Sequence, residues 1–201
     1  AENTSQQIWV RSLDSQQITP LAGTDGASFP FWSPDSRYIA FFANAKLKKI
    51  AAAGGPTQEL CDAPTARGGS WGSQGVIVFA QSNGNPGLSR VPAAGGVPAP
   101  ATKNEGSGSH RWPHFLPDGS HYLYVAAGSK GAGIHVRSLD AKPDANPDAA
   151  DIILAADESM PDYYPPSPGN ASGHLLFVRQ GTLMAQPLDP QSLQPKGDLF
   201  P

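Results

Sequence analysis

The sequence predicts an all-β chain: a β-propeller of four-stranded antiparallel blades, present as a partial or open arc of about four and a half. Three observations predict it. A strand–turn–strand phrase, Phe29-Pro30-Phe31-Trp32-Ser33-Pro34-Asp35-Ser36-Arg37-Tyr38-Ile39-Ala40-Phe41-Phe42, returns as Arg111-Trp112-Pro113-His114-Phe115-Leu116-Pro117-Asp118-Gly119-Ser120-His121-Tyr122-Leu123-Tyr124-Val125. Weaker copies lie at Gly69–Phe79 and at Pro166–Val178. The spacing is regular: Trp32 to Trp71 is 39 residues, Trp71 to Phe115 is 44, and Pro117 to Pro168 is 51. A period of about 40–45 residues holding four short strands is the size of one propeller blade. Finally, the 22 Gly and 21 Pro of the 201 residues sit between apolar runs, and no segment keeps a 3.6-residue period.

Each repeat is built the same way. The first strand ends in an aromatic residue: Trp32, Trp71 or Phe115. A turn follows. Pro34 and Pro117 pre-set φ at its second position, and Asp35, Asp118 and Gly119 are ordinary turn residues. The second strand, such as Tyr38–Ala43, is almost wholly apolar, as for a strand covered on both faces. The third strand alternates: Ile8–Asp14, Leu47–Ile50, Leu88–Val91, Ile134–Asp140 and Leu183–Leu188. Two of these are followed by Ala-Gly-Gly turns, whose glycines supply positive φ. A short outer strand closes each repeat: Gln17–Leu21, Thr57–Leu60, Pro98–Ala101, Ile152–Leu154 and Asp198–Phe200. Pro56 and Pro98 suit an edge that must not recruit neighbours.

The chain is thus one array over residues 1–201. An outer half-blade at 7–22 precedes full blades at 27–62, 67–102, 109–156 and 163–201. The half-blade lacks its two inner strands, and the last repeat uses its own outer strand. The arc is a piece of a longer ring, closes irregularly, or is completed by a second copy. An open arc exposes apolar faces, so a homodimer through open blade edges is expected. The polar loops Ala141–Asp148 and Lys103–Ser109 depart from the repeat. Variation in loop length is the simpler reading of both, ahead of specificity.

Charged residues are 15% of the chain and the net charge is −3. Lys46, Lys48 and Lys49 form the one basic cluster, too small for nucleic acid. The single cysteine, Cys61, allows no internal disulfide and reads as a small hydrophobe. No run reaches the length of a membrane span, and the first residues lack a signal-peptide pattern.

No constellation for catalysis stands out. There is no Gly-x-Ser-x-Gly segment. His110, His114 and His121 flank one hairpin, but Pro113 interrupts the strand and no acidic partner follows at metal-ligand spacing. Asp35 and Asp118 read as turn residues bonding nearby amides. The aromatics Trp32, Trp71, Trp112 and Phe115 read as core before ligand cage. The residues singled out are structural: Trp32, Pro34, Asp35, Trp71, Phe115, Pro117, Asp118 and Gly119. No catalytic residue, cofactor or metal is expected.

The repeats resemble the TolB-like, WD-type β-propellers of bacteria, marked by an aromatic, Ser-Pro-Asp-Gly and an apolar run. Trp32-Ser33-Pro34-Asp35-Ser36-Arg37-Tyr38-Ile39-Ala40-Phe41 fits with Ser36 for Gly, and Phe115-Leu116-Pro117-Asp118-Gly119 fits with Leu116 for Ser. Trp71-Gly72-Ser73-Gln74-Gly75 lacks the Pro and Asp. A narrower resemblance, on Phe31–Arg37 with Phe41-Phe42-Ala43, Ser109–Pro113 and Gly181–Pro187, is to the C-terminal propeller of bacterial transmembrane serine/threonine protein kinases. It implies a non-catalytic sensor or interaction module, binding an unknown protein or small molecule. It also implies an extracytoplasmic location, as part of a longer membrane-anchored protein whose kinase activity lies elsewhere. The alternatives are an accessory propeller of a prolyl-oligopeptidase-like hydrolase and a TolB-like periplasmic scaffold.

Overall fold

A computed structural model describes residues 6–81, 87–104, 108–128, 131–143, 151–166, 172–189 and 191–201. The Ser167–Asn170 turn, most of the Ala141–Asp148 loop and the middle of the Lys103–Ser109 loop lie outside these residues. Every regular element described is a strand. β1 (Trp9–Arg11) and β2 (Ile18–Pro20) pair as a two-stranded sheet. Three four-stranded antiparallel sheets follow. The first is β3 (Ser28–Trp32), β4 (Tyr38–Ala43), β5 (Lys46–Ala51) and β6 (Gln58–Asp62). The second is β7 (Gly69–Trp71), β8 (Val76–Ala80), β9 (Leu88–Pro92) and β10 (Ala99–Pro100). The third is β11 (Ser109–Phe115), β12 (His121–Ala127), β13 (Gly133–Ser138) and β14 (Asp151–Ala155). The last sheet has three strands, β15 (Asp162–Tyr164), β16 (Gly173–Arg179) and β17 (Thr182–Leu188).

That last sheet corrects an expectation. The outer strand foreseen at Asp198–Phe200 is reduced to single bridges, Phe200 on Ala185 and Pro195 on Leu188. Pro195 has no N–H to give, and Gly197 turns the chain at φ +77°. A continuous ladder therefore fails, and the tail clips on at separate points. One such clip is the pair of amide bonds between Ala185 and Phe200, at 2.7 and 3.1 Å.

The sheets stack face to face through four apolar clusters, one at each junction. Ile8 and Leu21 of the half-blade cover Ile39, Phe41 and Ile50. Phe42 and Leu47 meet Ile77 and Phe79. Val78 and Leu88 meet Phe115, Tyr122 and Tyr124. Val125 and Ile134 meet Leu175 and Phe177. The apolar second strands β4, β8 and β12 are buried on both faces, because each lies inside a stack, whereas β16, in the last sheet, keeps one row half-open, down to an exposed Val178.

The repeat turns are held by their own side chains. Ser33 Oγ donates to Asp35 Oδ1 at 2.6 Å and accepts the Tyr38 amide at 2.9 Å. Asp35 also accepts the Arg37 amide at 3.1 Å. Asp118 Oδ1 accepts the amides of Ser120 and His121 at 2.8 and 2.9 Å. The Ser33 hydroxyl and the Arg37 amide hold the Asp35 carboxyl below its usual range. Gly119 lies at φ +67°, and a Cβ there would fall 1.9 Å from Ser73 Oγ of the preceding blade. Ser36 occupies the equivalent position and is forced to φ +57°. A left-handed L-residue costs about 1–2 kcal/mol, partly offset by the unfolded-state entropy of glycine. Ser36→Gly is therefore expected to raise stability by roughly 0.5–1 kcal/mol in urea unfolding.

The repeat aromatics do not share one fate. Trp71 faces the preceding blade and stacks on Tyr38, with centroids 6.2 Å apart and planes at 30°. Phe115 is buried against Tyr122. Trp32, expected in the core, is 51% exposed. Its register partner is Ile39, so it faces the half-blade, where the inner strands that would cover it are absent among the described residues.

Candidate ligand site in the channel

The innermost strands carry a second repeated feature, three residues before each repeat aromatic. At this point stand Phe29 before Trp32, Gly68 before Trp71 and Trp112 before Phe115. All three have left-handed backbone, with φ +46°, +92° and +50°. The pairings β3–β4 and β11–β12 slip in register here, between Ser28 and Phe31 and between Arg111 and His114. These are bulges, and proline follows in both: Phe29-Pro30 and Trp112-Pro113. Pro has no N–H to donate to a ladder, and the bulge is a place where the sheet tolerates it. The fourth blade has Met160-Pro161 just before β15. Bulky residues with positive φ are strained, and such strain gathers at functional sites.

These bulges line a cavity of about 360 Å3, built from Phe29, Pro30, Gly68, Gly69, Trp112, Pro113, His114, Met160, Pro161 and Asp162. Four blades thus contribute, at corresponding positions of their first strands, as the wall of a propeller channel does. Close approach explains the glycine in the second blade. A Cβ on Gly68 would lie 3.1 Å from Trp112 Cδ1 and 3.2 Å from Trp112 Cα. Phe29 is 43% exposed and Met160 64% exposed, so the lining offers apolar surface to a ligand.

Two polar groups converge on this apolar wall. His114 Nε2 lies 3.5 Å from Asp162 Oδ1, across the third and fourth blades. Desolvation lowers the His114 pKa below its ordinary value, against the pull of the Asp162 carboxylate. The imidazole is therefore neutral at pH 7 and able to give or take one hydrogen bond. Asp162 is then the one formal charge among the lining residues. The arrangement suits an apolar ligand of modest size with one polar or cationic group at Asp162.

The other sequence candidates lie elsewhere. Asp35, Pro34, Asp118 and Pro117 occupy the turns at the far ends of the same strands, away from the cavity. Gln74 of the second blade reaches Gly119 O of the third at 3.1 Å, so the turns help join blades. His110 is buried between the second and third blades, where Thr102 Oγ1 meets its Nδ1 at 2.6 Å. His121 pairs with Asp118 at 2.7 Å. The bulge at Pro113 thus sends the three histidines to three places, and no metal-ligating group of three forms among the described residues. Burial pushes the Cys61 thiol up to about 11, as for an inert side chain. Phe29, Gly68, Met160 and Asp162 were not singled out in the sequence. The signal that marks the first three blades is an X-Pro or Gly-Gly step three residues before the repeat aromatic, and in the fourth it is the Met160-Pro161 step just before β15.

Sheets of four antiparallel strands stacked around a channel define a β-propeller, here an open arc. Among solved structures the chain is similar to a TolB of Agrobacterium tumefaciens, with TM-score 0.63 and 18% identity over 94% of this chain and 68% of that one. It is similar to TolB of Acinetobacter baumannii, with TM-score 0.65 and 16% identity over 94% and 47%. A puromycin-hydrolyzing peptidase of Mycobacterium tuberculosis also matches, with TM-score 0.57 and 18% identity over 85% and 30%. No family model matches the chain, and no curated protein does. The fold is that of TolB-like propellers, and the chain spans only part of each of these longer ones.

Proposed function

We propose that this chain is a non-catalytic binding propeller whose channel takes an apolar ligand, or a side chain of a protein partner, through Phe29, Trp112, Met160 and Asp162. The observation that carries the reading is the cavity of about 360 Å3 to which four blades contribute, two of them through bulged residues with left-handed backbone, Phe29 and Trp112. The resemblance of the repeats to kinase-linked propellers favours an extracytoplasmic sensor domain of a bacterial serine/threonine kinase. A thermal-shift screen of small apolar cations and neutral aromatics tests it. Hits are expected to lose at least tenfold in affinity in Phe29→Ala and in Asp162→Asn, two half-open positions whose replacement leaves the blade cores intact. Hits that ignore both substitutions would sink the channel reading. The match to a puromycin-hydrolyzing peptidase favours a second reading, an accessory propeller of a hydrolase. A Gly-x-Ser-x-Gly segment in the full-length gene would select it, and an upstream kinase would select the first.

A further inference from the structure

We propose that the groove between the second and third blades is a binding site for an apolar monocarboxylate, with Arg90 as the residue that holds the anion. The groove is separate from the channel and does not depend on it. The channel is lined from first strands; this groove is lined mostly from third and outer ones. Both of its walls are four-stranded blades.

The groove has a volume of about 440 Å3, within the roughly 300–1,000 Å3 of small-molecule sites. Val76, Arg90, Pro92 and Val97 line it from the second blade, and Leu139 and Asp140 from the third. Arg90 is fixed in the middle of its sheet. β9 pairs it to Val78 of β8 on one side and to Ala99 of β10 on the other. Its side chain crosses to the third blade, where one guanidinium N–H donates to Leu139 O at 3.0 Å. Leu139 is itself held by a bond from its amide to Ser120 O at 2.8 Å. Together with the Gln74 bridge to Gly119 O, these bonds keep the two walls in register.

The charges say what kind of ligand fits. Arg137, two residues before Leu139, is matched by Asp151. Arg90 forms no ion pair among the described residues, and the bond to Leu139 O uses one of its five N–H donors. The rest of the planar fork matches a carboxylate. Asp140, exposed at the rim, is the other formal charge among the lining residues. It repels a doubly charged anion such as phosphate more than a single carboxylate. The remaining walls, Val76, Pro92, Val97 and Leu139, suit an apolar body. Val97 is 90% exposed, and a ligand seated against it would take it out of water.

The probe is octanoate, titrated below its micelle concentration into the whole chain by calorimetry. Saturable one-to-one binding is expected, and octanamide, its neutral counterpart, should bind at least tenfold more weakly. Arg90→Met keeps an unbranched side chain and removes the fork, and should also cost at least tenfold. Arg90→Lys supplies a point charge and should recover only part of that loss. Val97→Asp places a repelling charge at an exposed residue whose replacement leaves the fold in place, and should weaken octanoate at least tenfold as well. An acetylated dipeptide ending in leucine identifies the source of the carboxylate. Binding tighter than that of octanoate would assign the groove to the end of a peptide chain, and weaker binding to a free acid. The proposal is overturned if neither probe saturates, or if octanamide binds as octanoate does. It is equally overturned if Arg90→Met and Val97→Asp both bind as the wild type does.

Discussion

Asp151→Ala is expected to lower the stability of the chain by about 3–5 kcal/mol, the largest single-residue loss argued from this structure. Arg137 and Asp151 face each other across β13 and β14 with their charged atoms 2.6 Å apart, and their side chains are 2% and 1% exposed. Tyr124 donates a hydrogen bond to the second carboxylate oxygen. The guanidinium also donates to Lys142 O at 2.6 Å, while its Nε has no hydrogen-bond partner among the described residues. A buried ion pair of this kind adds little relative to apolar residues, because both ions have lost their hydration. Breaking it is another matter. Removal of the carboxylate leaves a cation that cannot deprotonate, in a space closed to water. Burial alone keeps the Tyr124 hydroxyl above its ordinary range once the carboxylate is gone, so it offers no compensating anion. Urea unfolding of Asp151→Ala and of the double variant Arg137→Met/Asp151→Leu separates the two effects. The double variant should recover most of the loss. A single variant within about 1 kcal/mol of wild type would show the pair to be solvated after all.

That pair also marks the limit of what the sequence could show. Asp151 lies beyond the insert that lengthens the third repeat, and no local pattern links it to Arg137. The fold was legible because its causes are local: the turn residues of Ser33–Arg37 and Pro117–Gly119, and second strands apolar enough to be covered twice. The arc with its half-blade was legible for the same reason, since Ile8–Asp14 repeats a third strand. What failed was position within the stack. Trp71 and Trp32 hold the same position in their repeats, yet the first is stacked and the second bare, because burial depends on whether a preceding blade supplies a neighbour. The same holds for the channel. His114 and Asp162 come from different blades, and the bulges at Phe29 and Trp112 appear in the sequence only as an X-Pro step inside a strand. Read as punctuation, that step is noise; compared between repeats, it is the lining of one cavity. The outer strand at Asp198–Phe200 failed for the opposite reason. Its residues suit a strand, but Pro195 and Gly197 just before it break the approach.

His110 should make the chain acid-labile well above the range in which carboxylates titrate. The imidazole sits between the second and third blades, 4.8 Å from the Tyr124 ring centroid. Thr102 Oγ1 accepts the Leu88 amide at 2.8 Å, which leaves its hydroxyl proton for His110 Nδ1. Nδ1 is then an acceptor, and the neutral ring is the form that the site fits. Desolvation, with smaller repulsion from His135 and Arg137, pushes its pKa down to about 4, from 6.5. A group whose folded pKa is depressed in this way takes up its proton more readily in the unfolded chain. Between pH 6.5 and about 4 the unfolded state binds more protons, so stability falls as pH falls through that window. At about 1.36 kcal/mol per unit, the loss is on the order of 3 kcal/mol by pH 4. His114, lowered for the same reason, adds in the same direction. The turn carboxylates Asp35 and Asp118 are held below the ordinary aspartate value of 3.8, so what they contribute persists across this window and is lost only in stronger acid. Unfolding free energies measured in urea at pH 7.5, 6.5, 5.5 and 4.5 should therefore show a slope that His110→Gln largely removes. A variant that keeps the full slope would move its origin to another group, with His114 the next to replace.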